Sequence, residues 1–465
     1  MIRVYYENRE FANQIEYVFK VIGNCCGNAV KFVTNISEFD EKQNEQTLNI
    51  TYGKNLFYVR NGMHIFEAQL FKKDTYLTTE SIPQYPLYRY GNLPILFIAS
   101  SQNADVEVER QQIKLKLDIV QSVFYILTNY EEAIQKEALF YDQHKRFKAQ
   151  NRILYRENYY DRPLVNEYAK LICELSKQIG IEGMWNIPEK MSFHITHDVD
   201  YPYEITFGDR VQIQLFNRIL GLPIKRKISR GSEIIDTVER ENGIISSWYF
   251  KGGGASKFDD KYQLRNKKNL QFVSSLKRRG CEIGYHYSYD ASVNESLAQQ
   301  EYSNVKETLH LDYVCGRNHF LRYEIPISWR IYEKIGIYYD TTQGCAECEG
   351  FLRGICIPYK LFDLQEGREL DVWEIPLVVM DGTLRGEAYG HYDAEEALKR
   401  ILELMQTAKE FSGVFSMLWH NTSITGNYWG KWFEVVYEPA MKYIGSFDKC
   451  SMKGSDIIQK YNINN

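Results

Sequence analysis

Asp198 and Asp200 stand two positions apart, just after the strand-like run Met191–Ile195. Residues two apart in an extended chain point to the same side, so both carboxylates would face one space. Like charges that close repel each other, which requires a shared proton or a cation between them. The pair therefore indicates either a solvated loop or a general base beside a metal ligand.

Other ionisable residues follow strand-like runs further along the chain: His286, Arg317, His319, Asp340 and His420. Asp200 and His286 are the carboxylate and imidazole types that divalent metals accept as ligands. Asp198 would then deprotonate a water whose pKa the metal lowers, and His420 would protonate the leaving group. Arg317 would keep Asp198 ionised and oriented. Each residue also has an ordinary structural explanation, as a capped aspartate, a core histidine or a paired arginine.

These residues lie in a region where short apolar strands alternate with helical segments. From residue 191 the pattern predicts the strands Ser192–Asp198, Ile244–Phe250, Glu282–His286, Tyr313–Arg317, Ile337–Asp340, Val372–Pro376 and Val414–His420. Helices are predicted between them near 261–279, 294–310, 326–335 and 393–411. This alternation predicts a parallel sheet with right-handed crossovers that curls towards a barrel. Because such barrels hold their active site at the carboxyl ends of the strands, the ionisable residues would converge on one rim.

The residues before 191 have a different pattern of apolar and polar residues, which predicts a smaller α+β domain. Strands are predicted at Ile2–Tyr6, Val30–Thr34, Thr47–Tyr52, Leu56–Arg60 and His64–Leu70. Asn61-Gly62 between two apolar runs predicts a hairpin turn. Helices are predicted at Gln111–Ala133 and Leu164–Ile179, on either side of a polar connection at 134–163. The expected domains are 1–140, a connecting helical segment at 141–190, and a barrel at 191–450.

Composition excludes some classes of protein. The chain has 465 residues with 56 basic and 61 acidic side chains, a net charge of −5, so no nucleic-acid partner is expected. It begins without a signal-like segment and contains no apolar run long enough to span a bilayer. Nine scattered cysteines indicate reduced thiols. We therefore expect a cytoplasmic protein without a membrane span, and the composition does not indicate an oligomeric state.

Other local patterns carry less information. Cys345 and Cys348 form a lone CxxC, and a zinc ribbon would need a second pair. Gly252–Gly254 lacks the spacing of a phosphate-binding loop and predicts either backbone room beside a ligand or a plain turn. The basic residues of 225–230 would meet a diphosphate or form a solvated loop. Aromatic residues after His420 would stack on sugar rings or pack in the core: Tyr428, Trp429 and Trp432.

Four short motifs carry a family resemblance: Thr196-His197-Asp198-Val199-Asp200, Gly284-Tyr285-His286-Tyr287-Ser288, Arg317-Asn318-His319 and Leu418-Trp419-His420. Through them residues 191–450 resemble the polysaccharide deacetylases of carbohydrate esterase family 4, which are metal-dependent enzymes on an incomplete β/α barrel. The resemblance implies a catalytic Asp198, His420 and Arg317, and metal ligands Asp200 and His286. It also implies a carbohydrate substrate and a divalent metal, zinc first, with cobalt, nickel or iron as alternatives. The residues before the barrel resemble the N-terminal extension of some bacterial members.

The second motif departs from the family pattern. The family has a second histidine four residues after the first, and Asp290 stands at that position. Because aspartate also ligates metals, the expected ligand set is Asp200, His286 and Asp290. His197 and His319 are alternatives for the third position. The expected function is hydrolysis of N- or O-acetyl groups on a sugar or polysaccharide precursor. An inactive sugar-binding or scaffolding protein, and a hydrolase of another non-peptide C–N bond, are the alternatives.

Overall fold

The chain folds into a mixed α/β protein whose described residues form two large sheets and a two-stranded hairpin. The fold comes from a computed structural model that describes residues 1–40, 46–99, 105–109, 111–200, 231–259, 262–386, 392–424 and 431–464. The basic residues of 225–230 and the pair Tyr428-Trp429 lie outside these ranges. Within the described ranges no helix is both long and apolar enough to cross a membrane.

The smaller N-terminal domain contains a six-stranded sheet and a short hairpin. Its strands are β1 (Ile2–Tyr6), β2 (Val30–Phe32), β3 (Leu48–Gly53), β4 (Gly62–Phe66), β5 (Tyr88–Tyr90), β6 (Leu93–Ile95), β7 (Val106–Glu109) and β8 (Gln112–Leu115). The sheet has the order β2-β1-β3-β4-β8-β7, and β5 pairs with β6. Its pairs are parallel except for β7 with β8.

The C-terminal region is a nine-stranded sheet that curls into a half-barrel. Its strands are β9 (Ser192–Val199), β10 (Ser246–Lys251), β11 (Glu282–Tyr287), β12 (Val314–Asn318), β13 (Ile337–Asp340), β14 (Tyr359–Asp363), β15 (Arg368–Glu374), β16 (Val379–Met380) and β17 (Val414–Leu418). The order is β14-β15-β13-β12-β11-β10-β9-β17-β16. The sheet is parallel apart from β14 with β15. Every residue of β9, β10 and β11 is buried, as expected for parallel strands covered on both faces. The predicted incomplete barrel is confirmed.

Helices cover both sheets. They are α1 (Ala12–Cys26), α2 (Ile119–Leu127), α3 (Tyr130–Ile134), α4 (Ile153–Arg156), α5 (Leu164–Lys177), α6 (Gly231–Glu241), α7 (Lys267–Arg278), α8 (Glu295–Leu309), α9 (Ile327–Ile335), α10 (Asp381–Arg385), α11 (Ala394–Glu410), α12 (Glu438–Gly445) and α13 (Gly454–Tyr461). Helix α1 packs against α5 and reaches the barrel edge, where the Tyr17 hydroxyl donates to the carbonyl of Lys360 at 2.8 Å. One apolar core therefore runs through both regions.

The structure corrects three predictions in the N-terminal domain. The predicted helix Gln111–Ala133 begins with β8 instead, and the alternation of polar and apolar residues over Gln112–Leu115 is strand-like. Leu56–Arg60 forms no strand, and β3 and β4 are parallel, so Asn61-Gly62 does not close a hairpin. Helix α1 in addition lies where no element was predicted. In the barrel, all seven predicted strands are present within a few residues, and the edge strands β14 and β16 were missed.

Candidate active site

Five adjacent parallel strands bring the candidate residues to one rim. In sheet order these strands are β12, β11, β10, β9 and β17. Each contributes a residue at or just after its carboxyl end: Arg317, His286, Lys251, Asp200 and His420. Lys251 is in register with His286, and the preceding pair is Phe250 with Val199, so Lys251 lies level with Asp200. The side chains meet because parallel strands end at the same edge of the sheet.

Three side chains form a cluster that fits a metal ion. One ligand atom from each of Asp200, His286 and His319 lies within 4.8 Å of the others. His286 Nε2 is 3.6 Å and His319 Nε2 is 3.8 Å from Asp200 Oδ1. All three residues are buried, with at most 9% of the residue surface exposed. A carboxylate oxygen and two imidazole nitrogens are the ligand set of many three-ligand catalytic zinc sites.

The protonation of His286 leaves a lone pair facing the centre of this cluster. His286 Nδ1 lies 2.9 Å from the carbonyl oxygen of Arg317, which can only accept, so Nδ1 carries the proton. Burial, with His319 and Lys251 nearby, lowers the pKa of His286 to about 4 although Asp198 opposes the shift. His286 Nε2 has no hydrogen-bond donor among the described residues, and Asp200 Oδ1 has only the ammonium group of Lys251 nearby, at 3.2 Å. Two buried acceptors that face each other in this way require a cation.

His319 is oriented by a carboxylate behind it. Its Nδ1 lies 3.2 Å from Asp259 Oδ1, which also accepts from the backbone N–H of Tyr289 at 2.8 Å. Burial raises the pKa of Asp259, but these hydrogen bonds outweigh it and lower the pKa to about 2. Carboxylate–histidine pairs of this kind fix the tautomer of metal-ligating histidines. Gly254 has a φ of +118°, and a Cβ there would lie 2.9 Å from the Asp259 side chain, so glycine is required beside this carboxylate.

The structure does not bring the third predicted ligand, Asp290, into the cluster. Asp290 is exposed on the turn beyond the end of β11, because the strand ends at Tyr287 and a turn carries Asp290 away. The alternative His197 points to the other side of β9, where its ring contacts Glu239 and the carbonyl of Trp419, each at 2.8 Å. The other alternative, His319, is the third member of the cluster.

Asp198 lies beside the cluster, next to His286, Arg317 and His420. It is 2% exposed, and its Oδ1 accepts from Arg317 Nη1 at 3.2 Å. The fully buried Arg317 also donates to the Thr196 hydroxyl and to the carbonyl of Thr341. Oδ2 of Asp198 is 3.8 Å from His286 Nδ1 and 4.0 Å from His420 Nε2. One carboxylate oxygen is thus anchored, and the other faces the space between the two histidines.

His420 is held by a carboxylate that the sequence did not reveal. Its Nδ1 lies 2.7 Å from Asp381 Oδ1, and its backbone N–H donates to Asp381 Oδ2 at 2.8 Å. Burial lowers the pKa of His420, but Asp381, with Asp200 and Asp198 further away, outweighs burial and raises it to about 10. The His420 side chain is 22% exposed, so Nε2 can reach a bound molecule. A protonated His420 next to Asp198 is the arrangement of a general acid beside a base.

Lys251 brings a positive charge into the cluster itself. The residue is 3% exposed, and its Nζ lies 3.2 Å from Asp200 Oδ1 and 3.4 Å from His319 Nε2. Burial would raise the pKa of Asp200, but Lys251 first, and then the histidines His319, His420 and His286, hold it well below its usual range. The ammonium group is therefore part of the electrostatic balance of the centre.

Partly exposed aromatic rings border the centre next to His319. Phe320 has its ring centroid 4.6 Å from that of His319 and 5.7 Å from those of Phe258 and Tyr289. Its backbone φ is +62°, a strained value for a residue with a side chain, which indicates that the ring is held in place by its surroundings. His144, from the connection at 134–163, contacts the Phe320 ring at 4.5 Å. The connection thus reaches the edge of the site.

Three residues of the site were missed from the sequence, namely Lys251, Asp259 and Asp381. Lys251 ends an apolar strand and Asp381 follows one, which is the same pattern that identified the other candidate residues. Asp259 lies in a loop and had no such signal. Asp340 was expected on the same rim because it also ends a strand. It lies outside the cluster and accepts a hydrogen bond from the backbone N–H of Thr342 at 2.9 Å.

A comparison with protein families matches the N-terminal part of the chain. Residues 2–180 match a family of unknown function, DUF7033. No curated protein shows significant sequence similarity to the chain.

Among solved structures, the chain is similar to one assigned as a polysaccharide deacetylase from Mycobacterium smegmatis, at 12% identity and a TM-score of 0.41, over 58% of this chain and 91% of that one. It is also similar to Puue allantoinase, at 11% identity and a TM-score of 0.40, over 59% and 91% of the two chains. A mutant of a CE4-family pseudoenzyme with restored activity matches at 10% identity and a TM-score of 0.29, over 56% and 65%.

Proposed function

We propose that the protein is a metal-dependent hydrolase that removes N- or O-acetyl groups from a sugar or polysaccharide precursor. The proposal rests on one observation, the buried cluster of Asp200, His286 and His319, in which one ligand atom of each residue lies within 4.8 Å of the others. Such a cluster can hold a metal ion, and a carboxylate and a protonatable imidazole lie beside it. A base, a cation and an acid on one rim are what acyl hydrolysis requires.

Asp200, His286 and His319 are the residues that would hold the metal. When bound, the metal supplies a Lewis acid that activates water and polarises the carbonyl of the substrate. Asp198 takes the proton of the attacking water through Oδ2, while Arg317 fixes the orientation of the carboxylate through Oδ1. His420 delivers a proton from Nε2 to the leaving group, and Asp381 holds the opposite nitrogen.

The aromatic rings beside His319 support a sugar as the substrate. Phe258, Tyr289 and Phe320 form an aromatic cluster next to His319, and each of the three residues is partly exposed. Sugar rings stack on aromatic faces while their hydroxyl groups remain available for hydrogen bonds. The proposed substrate is accordingly an acetylated sugar, with the acetyl group towards the metal.

The test is acetate release from N-acetylated and O-acetylated oligosaccharides, with non-sugar amides in the same panel, in the presence of zinc or cobalt. Asp198→Asn and His420→Ala should each lower the rate by about 10²-fold or more, because each removes one proton-transfer group. The exposed Asp290→Asn is the matched control and should keep the rate. Full activity in both Asp198→Asn and His420→Ala would refute the mechanism. Cleavage of only the non-sugar amides would refute the substrate class.

A second candidate function is sugar binding without hydrolysis. It is favoured by Lys251, whose ammonium group lies within 3.4 Å of two of the three ligand atoms and already balances the charge of Asp200. Elemental analysis of the purified protein separates the two candidates. Stoichiometric zinc, cobalt, nickel or iron supports the hydrolase, and a metal-free protein that binds sugars but releases no acetate supports the second candidate.

A further inference from the structure

We propose that the ammonium group of Lys251 and the divalent metal compete for one space, so that Lys251 has to leave the centre when the metal binds. Lys251 would then act as a built-in competitor that weakens metal binding. This inference rests on the proposed function, since it concerns the same metal centre.

The backbone places Lys251 between the ligands. Strand β10, which ends at Lys251, lies between the strand that precedes Asp200 and the strand of His286. Lys251 is in register with His286 and follows the pair Phe250–Val199, just as Asp200 follows Val199. Its side chain is 1% exposed, so the ammonium group is enclosed rather than reaching into solvent. A lysine at this level of the sheet therefore has to lie among the ligand residues.

Distances within the cluster show why an ion and the ammonium group exclude each other. Asp200 Oδ1 and His319 Nε2 are 3.8 Å apart, and a zinc ion bonded to both, at about 2.0–2.2 Å from each, has to lie close to the line between them. Lys251 Nζ is 3.2 Å from one end of that line and 3.4 Å from the other. The ammonium nitrogen and the ion would be in contact with no shielding group between two positive charges.

Charge balance gives the lysine its role in the metal-free protein. A buried carboxylate in a cluster with two imidazole rings would be destabilised without a counter-charge. The Lys251 ammonium group supplies that charge to Asp200 and is a potential donor to His319 Nε2. Metal binding would exchange one cation for another, and the cost of moving the lysine would appear as a weaker affinity.

The experiment measures zinc and cobalt affinity of the metal-free full chain at one fixed pH near neutrality, by calorimetric titration. Lys251→Met and Lys251→Gln remove the charge with side chains of similar length. Both should bind zinc about tenfold more tightly than the wild type or better, because a like charge no longer opposes the ion. Lys257→Gln is the matched control, since Lys257 is an exposed lysine of the following loop with its Nζ over the Phe258 ring. It should bind zinc as the wild type does.

The outcomes separate this inference from the proposed function. Equal, tight zinc binding by the wild type and both Lys251 variants overturns the competition and leaves the metal-dependent function standing. An equal gain in Lys257→Gln also overturns it, because the effect would then be one of net charge. Absence of zinc binding in every form overturns both proposals.

A second measurement does not depend on whether the variants fold. Crystals of the wild type soaked in zinc should show an ion bonded to Asp200, His286 and His319, with the Lys251 ammonium group moved away from Asp200. An ion at the three ligands with Lys251 still in its present contacts would refute the inference.

Discussion

Each sheet buries an aspartate just after a parallel strand, and the two aspartates differ in what surrounds them. Asp118 follows β8 in the N-terminal domain and is 0% exposed. It accepts from the Tyr52 hydroxyl, from the backbone N–H of Ala68 and, as the N-cap of α2, from that of Gln121, at 3.0, 2.7 and 2.9 Å. Asp200 follows β9, and its Oδ1 is approached only by the Lys251 ammonium group, at 3.2 Å, with no hydrogen bond of good geometry among the described residues.

The electrostatics of the two carboxyl groups are opposite. Burial raises the pKa of Asp118 to about 7 in spite of its three donors, so this residue behaves as a structural hydrogen-bonding group. The pKa of Asp200 is held well below its usual range, because Lys251 and the histidines outweigh burial. Burial at a strand end therefore does not identify a site. A candidate site is identified by a buried carboxylate whose neighbours are other acceptors and cations, and whose oxygens are not all bound by hydrogen-bond donors.

The largest effect should come from changing Asp200. Asp200→Asn removes the anionic ligand and should weaken zinc binding by about 100-fold or more, as expected for the loss of a direct metal ligand. Asp118→Asn should leave zinc affinity unchanged. Both affinities can be measured by equilibrium dialysis, and an Asp200→Asn protein that binds zinc like the wild type would remove Asp200 from the centre.

The reverse result is expected for stability. Asp118→Ala removes a helix cap and leaves three donors unpaired, which should lower the free energy of unfolding by about 3 kcal/mol. Its zinc affinity should not change beyond what the lower stability requires. Urea denaturation of the metal-free protein checks this, with the exposed Asp290→Ala as control. A loss below 0.5 kcal/mol would show that the donors of Asp118 find other partners.

The pair His420–Asp381 should make stability depend on pH. The folded-state pKa of His420 is raised to about 10, above the roughly 6.5 of an unfolded chain, so the stabilisation is complete below pH 6.5 and is lost as the pH rises to 10. Compared with Asp381→Asn, the metal-free wild type should be more stable by about 2 kcal/mol near pH 6, a figure reduced for the partial exposure of His420. Denaturation curves from pH 6 to 10.5 measure the difference, and a difference that does not shrink would contradict the raised pKa.

The smallest effect is expected at Asp290. Asp290→Asn should change zinc affinity by less than about twofold, because its exposed side chain lies outside the cluster. His319→Ala should weaken zinc binding strongly under the same conditions. If Asp290→Asn lost zinc and His319→Ala kept it, the ligand set predicted from spacing would be the correct one.

The barrel was easier to predict than the N-terminal domain for a physical reason. Its parallel strands are buried on both faces and give continuous apolar runs, and helices with clear periodicity separate them. In the N-terminal domain, α1 contains many aromatic and β-branched residues, which have low intrinsic helix propensity, and it packs on α5. The helix was therefore not apparent from the sequence. The expected domain limits of 1–140, 141–190 and 191–450 stay predictions.

The sequence alone determined which residues could take part in the chemistry at the ends of β9, β11, β12 and β17, because strand period and residue type are local properties. Asp198, Asp200, His286, Arg317 and His420 were found in this way. Only the tertiary structure decided the third member of the cluster, the carboxylates behind two histidines, and the position of Lys251. Those depend on which strands are neighbours and on their register, and residues such as Asp381 and His420, 39 positions apart, become partners only when the sheet has formed.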